Sequence, residues 1–390
     1  MSHPSRQFAS EQVALEAERG PIDHGQTPPS FDYRSMMLDV MRKYSKSYLA
    51  QLREMYELKL GPGRIAPLEY YYYGLYADAL TAEQKRAFVG AGLRSAINEA
   101  VLNKELFGLG KDGLTFYAWM HGLGLATPRT RAVYHAERSL SGAEELTSPH
   151  ALLDFLRAPS NYPFFSRSAN LAAGAGAASV DRYESADDSI VLADGRRFPA
   201  IRFVGEAERY FKAGYLIQER LGPHSELAAL AIPRLSTVRM MVLNEGGVQL
   251  IRASWRVPAG DAHADAPSCG NLLAQVEPET GLVLRVVHGQ GIDCQLVEDH
   301  PETGARLLGA QLPMWAEARA HALRAAAAAP KLALTGWDVA ITDAGPVIVE
   351  LEPDGGDPAV TQLASGEGLL DGPYGAFVER HRAKLKKKKS

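Results

Sequence analysis

Residues 336–353 contain the feature that most constrains how this chain can fold: two apolar, strand-like segments joined by the short turn Asp343–Gly345. This pattern predicts a β-hairpin. If Asp343–Gly345 is a three-residue loop, Thr342 pairs with Pro346, and counting back places Asp338 directly opposite Glu350. Two acidic side chains are therefore expected on one face of the hairpin.

Glu352 adds a third carboxylate to that face, because side chains two residues apart on a strand point the same way. Like charges across a ladder destabilise it by up to roughly 1 kcal/mol unless a cation neutralises them. Mg²⁺ suits such a place, since it takes one or two protein carboxylates and completes its shell with water and phosphate oxygens. We therefore predict a metal site at Asp338, Glu350 and Glu352. The alternative is a solvent-facing acidic strand end, which the apolar residues on both faces disfavour.

Composition narrows the class of protein. Hydrophobic residues make up 46%, charged residues 23%, and the formal net charge is -4, which is typical of a globular protein and not of a nucleic-acid binder. The two cysteines, Cys269 and Cys294, are too few for a disulfide framework and fit a reducing cytoplasm. We expect no secretory signal, no membrane span and no nucleic-acid partner. The oligomeric state is not indicated.

The 390 residues are about right for two or three subdomains. The pattern predicts five parts: a loosely attached lead (1–30), a helical lobe (31–107), a first α+β lobe (108–220), a core α+β lobe (221–382) and a basic, solvated tail (383–390).

Helical spacing dominates the second part. Apolar residues recur at this spacing from Tyr33 to Leu60, which predicts a long helix, continuous or interrupted. Another helix is predicted from Thr81, its N-cap, through Asn103. The run Tyr70–Tyr73 between them is either a stacking platform or a packing element, and its polar-poor surroundings favour packing.

Beyond Gly110 the pattern alternates between strands and turns. Strands are predicted at 190–192, 200–203, 215–219, 237–243 and 247–254, with helices at 115–121 and 312–329. The fold class is therefore α+β.

Several segments, in this order, carry a resemblance to a known family. They are Gln218-Glu219-Arg220-Leu221 with His224, Leu235-Ser236-Thr237-Val238-Arg239, Ala253-Ser254-Trp255-Arg256, Gly270-Asn271-Leu272-Leu273-Ala274-Gln275-Val276, the hairpin, and Gln362 with Gly366. From about residue 106 to 378 the chain resembles the ATP-grasp superfamily, most closely its sugar-transfer-associated group, relatives of α-L-glutamate ligases. The resemblance implies an ATP-grasp fold, two α+β lobes gripping a nucleotide, after a helical N-terminal lobe.

The resemblance also implies ATP and Mg²⁺ as cofactors and assigns roles by position. Arg239 and Arg256 would face the phosphates as catalytic groups, or form structural salt bridges. The positions implied for nucleotide binding are Arg167, Gly174, Gly176, Gln218, Glu219 and Asn271. Asn271 is alternatively a turn residue. His224 is either functional or a capping or packing histidine.

Three positions depart from the family pattern. The family places a lysine where this chain has Gly113, and a second lysine where it has Arg167, which keeps the positive charge. The flexible loop Gly174–Gly176 could close over phosphates through backbone N–H groups. Glu352 stands where the family has asparagine, which adds negative charge beside the metal.

Three functions follow as hypotheses. The leading one is an ADP-forming ligase that activates a carboxylate as an acyl phosphate for attack by an amine, thiol or hydroxyl, with a cell-surface sugar precursor or a peptide as the substrate that the resemblance suggests. The second is an ATP-grasp phosphotransferase. The third is a degenerate, non-catalytic ATP-grasp protein that binds a partner. Fold alone does not choose among them.

Overall fold

The computed structural model describes residues 20–24, 32–170, 175–260, 271–289 and 291–386. The chain divides into two compact units. Unit 1 comprises Met1–Thr27, Asp112–Leu114 and Pro128–Leu221, and unit 2 comprises Pro28–Lys111, Thr115–Thr127 and Gly222–Ser390. Both units combine helices with a multi-stranded sheet, which confirms the predicted α+β class. Within the described ranges, no helix has the length and apolar character that crossing a membrane requires.

The helices are α1 (Tyr33–Tyr44), α2 (Tyr48–Leu60), α3 (Pro67–Tyr72), α4 (Ala82–Arg86), α5 (Ala91–Ala100), α6 (Gly108–Lys111), α7 (Gly113–Gly122), α8 (Pro149–Arg157), α9 (Ala200–Ala207), α10 (Ser225–Leu230), α11 (Trp315–Ala327), α12 (Pro358–Ser365), α13 (Pro373–Arg380) and α14 (Arg382–Lys386). The strands are β1 (Thr130–Tyr134), β2 (Glu144–Leu146), β3 (Phe164–Ser168), β4 (Ala178–Glu184), β5 (Ser189–Leu192), β6 (Arg197–Pro199), β7 (Tyr215–Glu219), β8 (Thr237–Asn244), β9 (Val248–Val257), β10 (Leu272–Val276), β11 (Val283–His288), β12 (Gln295–Leu296), β13 (Leu334–Thr342) and β14 (Gly345–Glu352).

Unit 1 is built on a seven-stranded sheet in the order β2-β1-β7-β3-β4-β5-β6. Strands β1 and β2 are parallel, and the other neighbours are antiparallel. Phe164, Phe203 and Tyr215 are fully buried in its core. Of the lead, residues 20–24 pack on this unit: Ile22 is buried and Asp23 bridges to Ala177. The remainder of the lead lies outside the described residues.

Unit 2 contains an antiparallel sheet in the order β12-β11-β10-β9-β8-β13-β14. Every residue of β13 is buried, as expected for apolar strands covered on both faces. Helix α11 packs on β8, β9, β13 and β14. The unit also holds the helical N-terminal region α1–α5, as predicted, and the buried amide of Gln362 ties α12 to it through hydrogen bonds with both backbone groups of Val89 (2.7 and 2.9 Å).

The predicted helices in the N-terminal region are interrupted. Helix α1 ends at Tyr44 and is followed by Ser45, whose φ of 55° is left-handed. Helix α2 starts after Ser47, whose hydroxyl accepts from Ala50 N at 3.3 Å. The helix predicted from Thr81 to Asn103 is two helices, α4 and α5. Gly90 stands at the second start, where a Cβ would lie 2.6 Å from Ile65 Cα, so close packing separates them.

Two further predictions are settled by burial. The strand predicted at 200–203 is wrong, because these residues begin α9, whose buried positions Ala200, Phe203, Val204 and Ala207 follow the helical period over a longer stretch. Tyrosines 70, 71 and 73 are buried, which confirms the packing interpretation of that run.

Candidate functional site

The hairpin of β13 and β14 has the predicted pairing at its acidic end and a different pairing at its turn. Asp338 faces Glu350, as predicted, but Thr342 pairs with Gly345, so the loop has two residues and not three. A bulge next to Asp338 leaves Val349 as an extra residue on β14 and restores the register.

Three charged residues face one another across three strands of unit 2. Arg239 on β8 pairs with Asp338 on β13, which in turn pairs with Glu350 on β14. Directly paired residues on neighbouring strands present their side chains on the same face of the sheet. We call Arg239, Asp338 and Glu350 the charged row. The sequence of the hairpin predicts only the acidic residues of this face. The strand order adds a cation, Arg239, beside them.

Asp338 is held by two arginines. Its Oδ1 and Oδ2 accept from Arg239 Nε and a terminal guanidinium nitrogen at 2.5 and 2.9 Å, and Oδ2 also accepts from Arg256 on β9 at 3.0 Å. Burial by itself raises the pKa of Asp338, but the charges of Arg239 and Arg256 outweigh it and lower the pKa to about 2. Structural salt bridges were the alternative role for Arg239 and Arg256 in the sequence analysis. Both arginines form one, and the shared carboxylate is Asp338.

The far end of β14 carries further negative charge. Burial first, then the hydrogen bond and charge of Asp354, raise the pKa of Glu352 to about 8, although Arg239 opposes the shift. Asp357 accepts from Arg239 at 3.4 Å and lies 3.8 Å from Arg94 of α5. Burial and the neighbouring Asp354 thus disfavour the charged form of Glu352, and a bound cation would offset both effects.

Two glycines bring the loop after β14 against β13. Gly355 and Gly356 have φ of 89° and 74°, and a Cβ on Gly356 would lie 2.9 Å from Thr335 O. Because only glycine adopts this conformation readily and fits this approach, the loop can set Asp357 beside Arg239.

The donor set fits Mg²⁺ in part. Both oxygens of Asp338 accept from arginine, which leaves this carboxylate less available than Glu350 and Glu352 as a ligand for an ion. Among the residues that the structure describes, no group of three or more acidic, histidine or cysteine side chains is placed to hold a metal. Mg²⁺, however, needs only one or two protein carboxylates. Glu350 and Glu352 are two residues apart on β14 and therefore share one face of the strand. The pKa of Glu352 is raised. These two side chains fit the ion.

Asn271 is a structural linker in the geometry described. It is buried, and its Oδ1 accepts from Ala259 N at 3.0 Å and from Arg234 at 2.8 Å. It thereby ties the end of β9 to the start of β10, close in sequence to Arg256.

Three of the predicted residues of unit 1 lie on β3 and β7, which are neighbouring strands. Arg167 is buried on β3, and Gln218 is buried on β7 and donates to Thr130 at 3.2 Å. Glu219 accepts from Arg129 N at 2.8 Å. The two strands thus hold Arg167, Gln218 and Glu219 in a fixed framework.

Gly176 is placed differently from the prediction. Its N–H donates to Asp23 O at 2.7 Å, and a Cβ there would lie 2.9 Å from Ser168 N. Its backbone donor is therefore used within unit 1, and its left-handed φ of 83° serves close packing. Gly174, the other predicted loop residue, lies outside the described residues.

The structure adds residues that sequence reasoning missed. Arg138 donates to Asp112 at 2.6 Å and to Ala213 O at 3.1 Å, and Asp112 bridges to Asn170, three residues after Arg167. A cation thus stands beside Asp112, the residue before Gly113. Nothing in the local sequence of Arg138 indicates this pairing. His224 caps α10, accepting from Glu226 N at 3.2 Å, which agrees with the capping alternative.

Comparison with known proteins gives a family match for part of the chain. Residues 204–372 match the family model described as sugar-transfer associated ATP-grasp. No curated protein sequence matches significantly. Similar solved structures include an L-amino acid ligase from Bacillus licheniformis (12% identity, 73% of this chain and 48% of that one, TM-score 0.37). A D-alanine-D-alanine ligase from Helicobacter pylori has 11% identity, 71% and 68% coverage and TM-score 0.37. The chain spans about half the length of the first of these, 48%.

Proposed function

We propose that this chain, whose residues 204–372 match the family model described as sugar-transfer associated ATP-grasp, is an ATP- and Mg²⁺-dependent, ADP-forming ligase of the ATP-grasp superfamily. Its substrates are a carboxylate and an amine, thiol or hydroxyl, on a sugar precursor or a peptide. The reaction belongs in the cytoplasm, where ATP is available.

The observation that carries the proposal is the charged row of Arg239, Asp338 and Glu350, together with Arg256, which also binds Asp338. A buried carboxylate, Asp338, fixes Arg239 and Arg256, and the neighbouring strand adds Glu350 and Glu352. Forked guanidinium groups suit phosphate oxygens, and paired carboxylates suit a hard cation. Cations and carboxylates on adjacent strands are what an Mg²⁺–nucleotide complex needs from a protein.

In the proposed reaction, a carboxylate oxygen of the substrate attacks the γ-phosphorus of ATP, and the bond to the β–γ bridging oxygen breaks with release of ADP. The nucleophile then attacks the acyl carbon of the acyl phosphate, loses its proton, and inorganic phosphate leaves. Arg239 and Arg256 offset the charge that spreads over the phosphoryl oxygens. Mg²⁺ held by Glu350 and Glu352 would supply further neutralisation of the phosphates.

Asp338 acts as a positioning residue in this proposal. It was predicted from the sequence as a metal ligand, yet its oxygens accept from both arginines. We propose that it fixes their orientation, while Glu350 and Glu352 hold the ion. In unit 1, Arg167, Gln218 and Glu219 are proposed to contact the nucleotide, with Arg138 as a further cation. Asn271 stays a proposed indirect contributor, through the end of β9.

Release of ADP tests the proposal. The purified chain, ATP and Mg²⁺ are incubated with a panel of amino acids and amino sugars, singly and in pairs, and ADP is measured by a coupled assay. ADP that forms only when a carboxylate and a nucleophile are both present supports the ligase. ADP that forms with a hydroxyl substrate alone, and phosphorylates it, supports the phosphotransferase.

A specific observation favours a second candidate, a non-catalytic ATP-grasp protein. Gly113 takes the place of a family lysine, its N–H donates to Ala169 O at 2.6 Å, and the donor of Gly176 is also used internally. If the purified chain binds no nucleotide in the presence of Mg²⁺, the non-catalytic candidate is favoured over the ligase.

A further inference from the structure

A single bulged residue decides which face of β14 carries Glu350. From the turn onwards, β13 and β14 pair without interruption until Val339 lies opposite Ile348. Continued in the same register, the ladder would place Asp338 opposite Val349. Instead Val349 is skipped, and Asp338 lies opposite Glu350. Because a slip of one residue moves every following side chain to the other face of a strand, the charged row depends on this bulge.

The same bulge determines the position of Glu352. This residue comes two positions after Glu350 and shares its face of β14. Without the bulge, both carboxylates would face away from Asp338 and Arg239. The proposed pair of metal ligands therefore requires that Val349 stays in the bulged position.

The outer edge of β14 is held at the bulge by residues that precede the sheet. Within the described residues, β14 is the end strand of the sheet of unit 2, so its outer edge is not paired with another strand. Ile348 N donates to Ala126 O at 2.9 Å. The hydroxyl of Tyr117, on α7, donates to Val349 O at 3.2 Å. Two successive residues of β14 are thus fixed from outside the sheet.

Helix α6 approaches the next part of the same edge. A Cβ on Gly110 would lie 2.5 Å from Leu351 O, so the absence of a side chain permits this close approach. Leu351 stands between the two glutamates of β14. We call the contacts of Gly110, Tyr117 and Ala126 with β14 the edge contacts. Together they follow the strand through the stretch that carries the proposed metal ligands.

Tyr117 is the edge contact that acts on the bulge itself. It is 2% exposed, and its hydroxyl binds the carbonyl of the residue that β13 skips. A bulge leaves its extra residue without a partner in the ladder, so a backbone group there needs a partner from elsewhere. Tyr117 supplies such a donor. Loss of the hydroxyl alone would remove this bond and keep the packing of the ring.

We propose that Tyr117 is a positioning residue for the metal ion: it holds the bulge at Val349 and thereby keeps Glu350 and Glu352 on the face of the charged row. This role rests on the proposed function, because the Mg²⁺ site is part of that proposal. Tyr117 acts through the backbone of β14 and not as a ligand. Substitution of residues that orient metal ligands typically weakens metal binding by about 10- to 100-fold.

Binding of Mn²⁺, a paramagnetic substitute for Mg²⁺, tests this role. The ion is titrated into the full chain together with a non-hydrolysable ATP analogue, and bound Mn²⁺ is measured from the relaxation of water protons. Tyr117→Phe is expected to weaken Mn²⁺ binding by about tenfold. Its matched control is Tyr71→Phe, which removes another buried hydroxyl, one that donates to Gln51 at 2.9 Å in the helical N-terminal region. This control should bind Mn²⁺ like wild type.

Two glycines of α6 provide a second matched pair, which keeps the test available if Tyr117→Phe does not fold. Gly110→Ala would press on Leu351 O and is expected to weaken Mn²⁺ binding by about tenfold. Among the described residues, nothing lies within 4 Å of a Cβ on Gly108, so Gly108→Ala should bind Mn²⁺ like wild type. Circular dichroism establishes that each variant is folded.

Hydrogen exchange, measured by mass spectrometry without metal or nucleotide, reports on the bulge directly. Residues 345–352 are expected to exchange faster in Tyr117→Phe than in wild type or Tyr71→Phe. A folded Tyr117→Phe variant with wild-type Mn²⁺ affinity, or with wild-type exchange, would overturn the role of Tyr117 and leave the metal site standing. No Mn²⁺ binding by wild type would instead contradict the metal site of the proposed function, and the role of Tyr117 with it.

Discussion

Arg239 and Asp338 form a two-point ion pair between adjacent strands, with both side chains at most 5% exposed. The pair explains why an acidic residue can be buried in an apolar strand. Because Arg256 contacts the same carboxylate at 3.0 Å, Asp338 lies between two cations. Asp338 is thus paired with two cations, whereas burial and Asp354 raise the pKa of Glu352. A cation bound at Glu350 and Glu352 would offset that shift, and for this reason we propose the metal site there.

Replacing Asp338 with asparagine is expected to destabilise the fold by about 3–5 kcal/mol, because two buried guanidinium groups lose their shared counter-charge. Urea denaturation measures the change. The exposed Asp371→Asn variant serves as control and should stay near wild type. The double variant Arg239→Met with Asp338→Leu should lose less stability than Asp338→Asn alone, since only Arg256, and not both arginines, then lacks the counter-charge. Equal stability of Asp338→Asn and wild type would contradict the role given to the pair.

Gly356 and Gly246 provide a matched test of the loop after β14. Their φ values, 74° and 73°, are nearly equal, but a Cβ on Gly356 would lie 2.9 Å from Thr335 O, whereas nothing lies within 4 Å at Gly246. Alanine at either position costs about 1 kcal/mol or more through its left-handed backbone. Only Gly356→Ala should also displace Asp357 and weaken nucleotide binding. Similar nucleotide affinity in the two variants would separate this loop from the site.

Glu54 makes stability depend on acid pH. Burial alone raises the pKa of Glu54, but hydrogen bonds from Lys46 and Tyr70 outweigh it, so the pKa lies below its ordinary value of 4.5. A lowered pKa stabilises the fold above the unfolded-state value and loses that contribution as the pH falls through the folded-state value. Glu54→Gln should therefore cost about 1–3 kcal/mol at neutral pH, and the cost should shrink below pH 4.5.

Denaturation at several pH values checks this prediction, with Glu57→Gln as control. Glu57 is on the same helix and its side chain is 45% exposed, in an i,i+4 pair with Arg53, so its loss should change little at any pH. A Glu54→Gln cost that does not vary with pH would show that packing, and not charge, is responsible.

The sequence predicted the acidic hairpin well, because strand periodicity and turn residues are local signals. It placed Asp338 opposite Glu350 through a turn that the structure does not have, and the bulge at Val349 made up the difference. A bulge has no reliable local signature, so the agreement depended on two compensating features.

The partners of Asp338 could not be predicted in the same way. Arg239 lies 99 residues away in sequence and Arg256 82 residues away, so their convergence depends on the strand order β9-β8-β13-β14. Likewise, Arg138 meets Asp112 only through tertiary packing. The break at Gly90 also comes from long-range contact, with Ile65, while helix propensity alone favoured continuity.

Calorimetric titration with a non-hydrolysable ATP analogue, with and without Mg²⁺, tests the central claim most directly. The account predicts Mg²⁺-dependent binding to wild type, its loss in a folded Glu350→Gln variant, and its retention in Asp371→Asn. Binding that is unchanged by Glu350→Gln, or the absence of any binding to wild type in Mg²⁺, would contradict it.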